Sequence, residues 1–307
     1  MIRKALLHLS RSGRAARMAD SFPGFRAFSR RFVAGTTLED AAAAVRRLNQ
    51  EGFRATVSFL GENVATDAAA DAARDEYLRL VELIAGGGLS SGISVKLTQL
   101  GLTMDHARCR DRLADLVAAA EARGLFLRID MEHSAVVGAT LAMYREVRSC
   151  GRERFGVVVQ SYLRRSRADL ELLAREGASV RLVKGAYLEP PQVAFPDKRD
   201  VDRSFRDLIE VFVRDRSDDC RLAVATHDNR MIEHSLRVFR REAVPEDRYE
   251  FQMMYGIRTD LHRELREAGR RVRIYVPYGG NWYPFLVRRL AERPANLAFF
   301  LRHALRR

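Results

Sequence analysis

Four lysines stand among 53 basic residues, the other 49 being arginine, so each lysine marks a place where a compact ammonium was kept against a strong bias toward the planar guanidinium fork. Two of them, Lys96 and Lys184, lie inside short apolar runs, SVKL and LVKG, where a buried ammonium needs an anion or acceptor close by. Asp130 and Glu132 close a third apolar run, LFLRIDM, and Thr226, His227 and Asp228 close a fourth, RLAVATH. Gln160, Gln252 and Tyr275 end three more, and Lys198 follows in the loop after Lys184. The glutamines are uncharged donor–acceptor groups suited to a flavin edge, to a base or to hydrogen bonding between layers. Near the end of the chain, Arg288 and Arg289 are adjacent with Glu292 three and four positions on, so the three share one helix face and the two forks can clamp a carboxylate. Together these groups suit an anionic cofactor beside a small anionic substrate.

Such residues need a frame that gathers them. Eight β-branched runs recur, at 55–60, 92–97, 125–131, 155–161, 179–185, 221–227, 249–254 and 271–277, each followed by a stretch of helical period. Eight βα units in about 250 residues predict an α/β fold, a (βα)8 TIM-type barrel, whose chemistry sits at the C-terminal strand ends. The polar residues named above fall there. A doubly wound sheet is the alternative, without a GxGxxG after the first strand to support it. Residues 1–50 read as a helical N-terminal extension and 51–307 as the barrel domain.

Composition narrows the class. A chain of 307 residues, 47% hydrophobic and 30% charged, is globular, and its net charge of +13 is interspersed with acids in the manner of solvated helix faces. Nucleic-acid binding is therefore not expected, and neither is a bilayer span or a signal peptide; a cytoplasmic protein is. The cysteines 109, 150 and 220 share no ligand spacing, so no metal site is expected and all three read as buried thiols. His133, at a helix start, reads as structural. A phosphate-binding lyase or an FMN oxidoreductase, with its phosphate near Gly279 and Gly280, stays open as another barrel enzyme, and a salt-sensitive nucleic-acid binder as a non-enzyme.

In order along the chain, SVKL (94–97), QSYLRRSRADL (160–170), RLVKGAY (181–187), ATHD (225–228), EFQMMYG (250–256) and YVPYG followed by FLVRRLAERP resemble the proline dehydrogenase family, in the compact form of its stand-alone bacterial members. The resemblance implies an FAD enzyme that oxidises L-proline to Δ1-pyrroline-5-carboxylate and passes electrons to a membrane quinone; the basic surface and N-terminal helices would help it meet that quinone peripherally, at the anionic inner face of the cell membrane. It implies that Lys96, Arg288 and Arg289 hold the proline carboxylate, with Asp130, Tyr275 and Phe285 completing the substrate shell. It implies FAD contacts at Met131, Gln160, Arg181, Val183, Lys184, Gly185, Ala186, Tyr187, Lys198, Thr226, His227, Asp228, Gln252, Met254 and Glu292, with Lys184 or Arg181 a cation beside the flavin. Two positions depart from the family pattern: Phe285 stands where some members have Tyr, which implies looser discrimination against hydroxyproline, and Asp228 where many have Asn.

Overall fold

A computed structural model of the chain describes residues 29–292, with side chains to residue 287. Eight parallel strands close into a barrel in sequence order: β1 (Arg54–Phe59), β2 (Ser91–Val95), β3 (Leu127–Ile129), β4 (Phe155–Gln160), β5 (Ser179–Val183), β6 (Arg221–Ala225), β7 (Tyr249–Met254) and β8 (Val272–Tyr278). β8 closes on β1 through six aligned pairs, from Arg54 opposite Arg273 to Phe59 opposite Tyr278. β2 to β6 are shorter than their apolar runs, by one to four residues, and the other three strands match theirs in length. In β3 the cause is local, because the Leu125 N–H caps the preceding helix by donating to the Ala120 carbonyl.

Helices α1 (Leu38–Gln50), α2 (Asp67–Gly86), α3 (His106–Ala122), α4 (Ser134–Ser149), α5 (Ser166–Arg175), α6 (Lys198–Asp215), α7 (Asn229–Arg241) and α8 (Thr259–Glu267) form the outer ring. α1 starts at a capping box, in which the Thr37 hydroxyl accepts from the Asp40 N–H and the Asp40 carboxylate accepts in return. It buries Ala41, Ala44 and Val45 and packs on β8 and β1. The last part of the expected N-terminal extension is thus a member of the ring, and residues 1–28 lie outside the described residues. α9 (Trp282–Glu292) follows β8 and takes a different place. Its Trp282, Tyr283, Phe285 and Leu286 form a separate cluster with Phe32, Val33 and Leu60, packed against Met254, Ile257 and Tyr275 at the C-terminal mouth. α1 fills the groove beside β8 that the helix after β8 would otherwise take, which leaves α9 at the mouth.

Alternation divides the strand residues. Ala55 and Val57 of β1 belong to the apolar layer between strands and helices, with Ile93 and Val95 of β2 and Leu182 of β5, all inaccessible to solvent. Each buried Val, Ile or Leu among them stabilises the fold by roughly 1.5–3 kcal/mol, the alanine by less. Many inward positions, among them Ser94, Arg128, Arg181, Glu250, Gln252 and Arg273, are polar where a barrel of this type usually carries branched apolar residues, beside apolar ones such as Val158 and Ala223. In one tier the guanidinium of Arg273 meets the Glu250 carboxylate at 2.6 Å, while Arg128 donates to the Val157 and Ser179 carbonyls. Gly156 makes that possible, since a Cβ there would lie 2.4 Å from the Arg128 guanidinium.

Candidate active site

The second tier, toward the C-terminal ends, is a closed network. Arg181 of β5 donates from Nη1 to Asp130 Oδ1 (2.6 Å) and to Ser94 Oγ (3.2 Å), and from Nε to Gln252 Oε1 (2.5 Å). Asp130 also accepts from the Ser94 hydroxyl (2.7 Å) and, on its other oxygen, from the Tyr275 hydroxyl (2.8 Å). Gln252 Nε2 donates downward to Glu250 Oε1 (2.5 Å), which joins the two tiers. Burial first, then the adjacent Asp130 carboxylate, pushes Tyr275 well above the usual phenol range, so its hydroxyl keeps its proton. The partner of Asp130 is an arginine, not one of the lysines.

Above this network opens a cavity of about 550 Å³, and every expected site residue whose side chain is described lines it. From β2 comes Lys96, from the exit of β3 Asp130 and Met131, and from β4 Gln160. The β5 segment supplies Arg181, Val183, Lys184, Gly185, Ala186 and Tyr187, with Lys198 from the start of α6. Thr226, His227 and Asp228 follow β6, Gln252 and Met254 come from β7, Tyr275 from β8 and Phe285 from α9. α9 carries Arg288, Arg289 and Glu292 as well, but their side chains lie outside the described residues.

The lysines differ in their partners. Lys184 donates to Asp202 Oδ1 (2.5 Å) and Asp228 Oδ2 (2.7 Å), and Lys198 pairs with Asp202 as well. Burial opposes ionisation of both aspartates, but the lysine hydrogen bonds and charges outweigh it and hold them below the usual carboxylate range. Arg181 and Lys184, the expected cations beside a flavin, are therefore both paired with carboxylates. Lys96 is buried, and among the described residues no carboxylate lies within ion-pair distance of it.

Other groups fix the walls. Gln160 Nε2 donates to the Met131 and Glu132 carbonyls, which leaves its buried Oε1 without a hydrogen-bond partner. His227 Nε2 accepts from the Met254 N–H at 2.9 Å, so this nitrogen is unprotonated and the ring ties the exit of β6 to that of β7. Gly185 sits at φ 111°, and a Cβ there would press into the Tyr162 ring at 2.2 Å, so glycine is required at this bend. His133 is the N-cap residue of α4 and sets its ring edge-on to Tyr187.

Some residues escaped the sequence reading. Ser94 lies two positions before Lys96 on the same strand face. Asp202 lies four residues after Lys198 on one helix, a legible i,i+4 signal. Glu132, noted at the end of its run and given no role, is buried, accepts from the Thr98 N–H (3.1 Å) and hydroxyl (2.5 Å), and is pushed up by burial. Of the three thiols expected to be buried, Cys109 and Cys220 are, while Cys150 caps the end of α4 on the surface and is exposed.

The family model for proline dehydrogenase matches residues 41–302. The chain belongs to the proline dehydrogenase family. It is 38% identical to proline dehydrogenase 1 of Bacillus subtilis strain 168 over 307 residues, the whole of both chains. It is 38% identical to the proline dehydrogenase of Deinococcus radiodurans over 280 residues, 90% of this chain and 89% of that one. Among solved structures, a variant of proline utilization A (PutA) from Bradyrhizobium japonicum matches with a TM-score of 0.75 at 25% identity, over 89% of this chain. PutA from Bdellovibrio bacteriovorus matches in fold with a TM-score of 0.82 at 24% identity. The chain spans about a third of those longer proteins, 32% and 34%. As a member of this family, the chain oxidises proline, a step of proline catabolism.

Proposed function

We propose that the cavity at the C-terminal mouth holds FAD and L-proline together, and that the product is Δ1-pyrroline-5-carboxylate. The observation that carries this reading is the pairing pattern: Arg181, Lys184 and Lys198 are each bound to carboxylates, whereas Lys96 has none within ion-pair distance among the described residues. Lys96 is thus placed to take the substrate carboxylate, and Arg288 and Arg289 on α9 complete the clamp. The orphaned Gln160 Oε1 fits the N–H edge of a flavin ring, and Lys184 and Lys198 fit its diphosphate.

When bound, the flavin supplies the hydride acceptor. The chain supplies position. Lys96 fixes the carboxylate end of proline, Tyr275 and Phe285 wall its apolar ring, and Asp130 offsets the surrounding cations while its oxygens are held by Arg181, Ser94 and Tyr275. The α9 cluster over the mouth keeps water from the ring. No described residue is assigned as a base, and Tyr275 is a donor throughout because burial keeps it protonated.

Electrons then leave to a membrane quinone, with the basic chain at the anionic inner face of the cell membrane in a cytoplasmic setting. The net charge of +13 supports this, and among the described residues no helix is long and apolar enough to cross a membrane. Loss of vesicle binding at low salt would remove that part alone.

The deciding experiment is an absorbance spectrum from about 350 to 500 nm before and after anaerobic L-proline, where a bound flavin absorbs on its own account. Bands that bleach with proline are expected. A folded, FAD-supplemented protein without those bands would overturn the cofactor, and bands that persist with proline would overturn the site.

A further inference from the structure

The opposite end of the barrel has its own cavity, of about 760 Å³, walled by the first residues of all eight strands. Ten arginines line it against four carboxylates, Glu153, Asp219, Asp247 and Glu250, and it contains no lysine. Six of those arginines, Arg54, Arg128, Arg148, Arg154, Arg221 and Arg271, have no carboxylate within 4 Å among the described residues, and Arg54, Arg128, Arg221 and Arg271 belong to the strand starts. Glu250 is engaged by Arg273 at 2.6 Å, and its single charge offsets those of Arg54 and Arg128 only in part, since both are still held below their ordinary value.

Burial, then repulsion from Arg271 and Arg273, pushes Arg54 below its ordinary value, and burial followed by Arg181 and Arg273 does the same to Arg128. The cations therefore converge on one space. Arg128 is 5% exposed, and its Nε has no hydrogen-bond partner. A buried guanidinium with an unused donor, in a roomy pocket of like charges, is an arrangement that an anion would relieve. The N-terminal face of such a barrel is ordinarily occupied by stabilising packing, which does not call for this charge.

We propose that the N-terminal mouth of the barrel is a binding site for a small polyvalent oxyanion, a phosphate ester or a di- or tricarboxylate, held by Arg54, Arg128, Arg221 and Arg271. Guanidinium forks suit both groups, since each offers paired oxygens to parallel N–H donors. The site is separate from the mouth that takes proline. One layer of side chains divides them, because Arg181 and Gln252 line both cavities.

The inference stands independently of the cofactor reading and is tested on the protein as purified, saturated with FAD. Pyrophosphate and citrate are titrated separately by calorimetry at constant ionic strength, with chloride as the control anion. One saturable site for at least one of the two is expected, and which of them binds tells phosphate from carboxylate. Arg54 and Arg221 are at the exposed rim, so Arg54→Ala and Arg221→Ala keep the fold and should each weaken binding by about tenfold. Arg167→Ala, exposed on α5 and lining neither mouth, should leave it unchanged. The inference is overturned if neither anion gives a saturable signal, if Arg54→Ala and Arg221→Ala bind as the parent does, or if Arg167→Ala weakens binding as much as they do.

Discussion

Arg181 and Asp130 face each other across the barrel interior, β5 to the exit of β3, with Nη1 to Oδ1 at 2.6 Å and side chains only 6% and 13% exposed. Tyr275 stacks its ring 5.4 Å from the guanidinium carbon and donates its hydroxyl to the same carboxylate, so three strands meet at one ion pair. Breaking such a pair from one side costs more than removing it, because the survivor is left charged in a low-dielectric interior.

Asp130→Ala should therefore destabilise the fold by about 3–5 kcal/mol, whereas adding Arg181→Met to it should recover part of that loss. Urea unfolding of the two single variants and the double variant measures the coupling. Equal and additive losses would show that the pair carries no mutual energy.

Acid stability should fall in two stages. Burial pushes His262, set edge-on to Phe53, down to about 4. It resists protonation in the folded state, so its contribution is complete above the ordinary value of 6.5 and is lost as pH falls toward 4. For Glu250, burial is outweighed by Arg273, by charge and hydrogen bond, and the carboxyl is held at about 2, so its share is complete above 4.5 and is lost as pH falls toward 2. Each stage is worth on the order of 3 kcal/mol. Unfolding free energy measured from pH 8 to 3 should decline from near pH 6.5 downward, and His262→Leu should shrink the upper part of that decline, leaving the smaller share of His234, which burial also holds below 6.5.

The barrel and most of the mouth were legible because period and chemistry coincide there. Lys96 and Lys184 stood out as lysines within apolar runs of an arginine-rich chain. Arg181 and Glu250 gave no such signal. Alternation assigns a strand residue to a face, but it does not say that Arg181 reaches Asp130 on β3 or that Glu250 takes Arg273 on β8. The polar interior was thus invisible as a network, although each member was in view. The glycine-turned loop at 276–284 made it legible that α9 starts over the strand ends; what its amphipathic pattern does not tell is why it stays there, since both the ring and the mouth offer an apolar partner. α1, by filling the ring position beside β8, decides between them.

Asp228 has two tasks that substitution can separate. Its Oδ1 accepts from the Arg230 N–H to cap α7, and its Oδ2 takes Lys184. Asparagine caps a helix about as well as aspartate, so Asp228→Asn should preserve stability while freeing a positive charge beside the proposed diphosphate. FAD affinity should rise several-fold, about 1 kcal/mol for a partly exposed pair, and the gain should shrink in salt. Flavin fluorescence titration of the apoprotein reads this directly. A weaker affinity with an unchanged melting temperature would mean that Asp228 orients the lysine for the cofactor and does not compete with it.

Phe285 enters the mouth from α9, 8% exposed and packed in the cluster that also touches Tyr275. In the proposed pose its ring would be an apolar wall without a hydroxyl, and a hydroxyl carried by the substrate would meet no steric bar there. In Phe285→Tyr the added oxygen would occupy the space a substituted proline ring needs, while the parent ring, one oxygen smaller, still fits. Discrimination by a single small group in a pocket is worth roughly 10–200-fold. The ratio of kcat/KM for proline over hydroxyproline should therefore rise by about tenfold in Phe285→Tyr, through loss of hydroxyproline turnover with proline turnover little changed. Steady-state kinetics with the two substrates decide it, and an unchanged ratio would place the substituted edge of the ring away from α9.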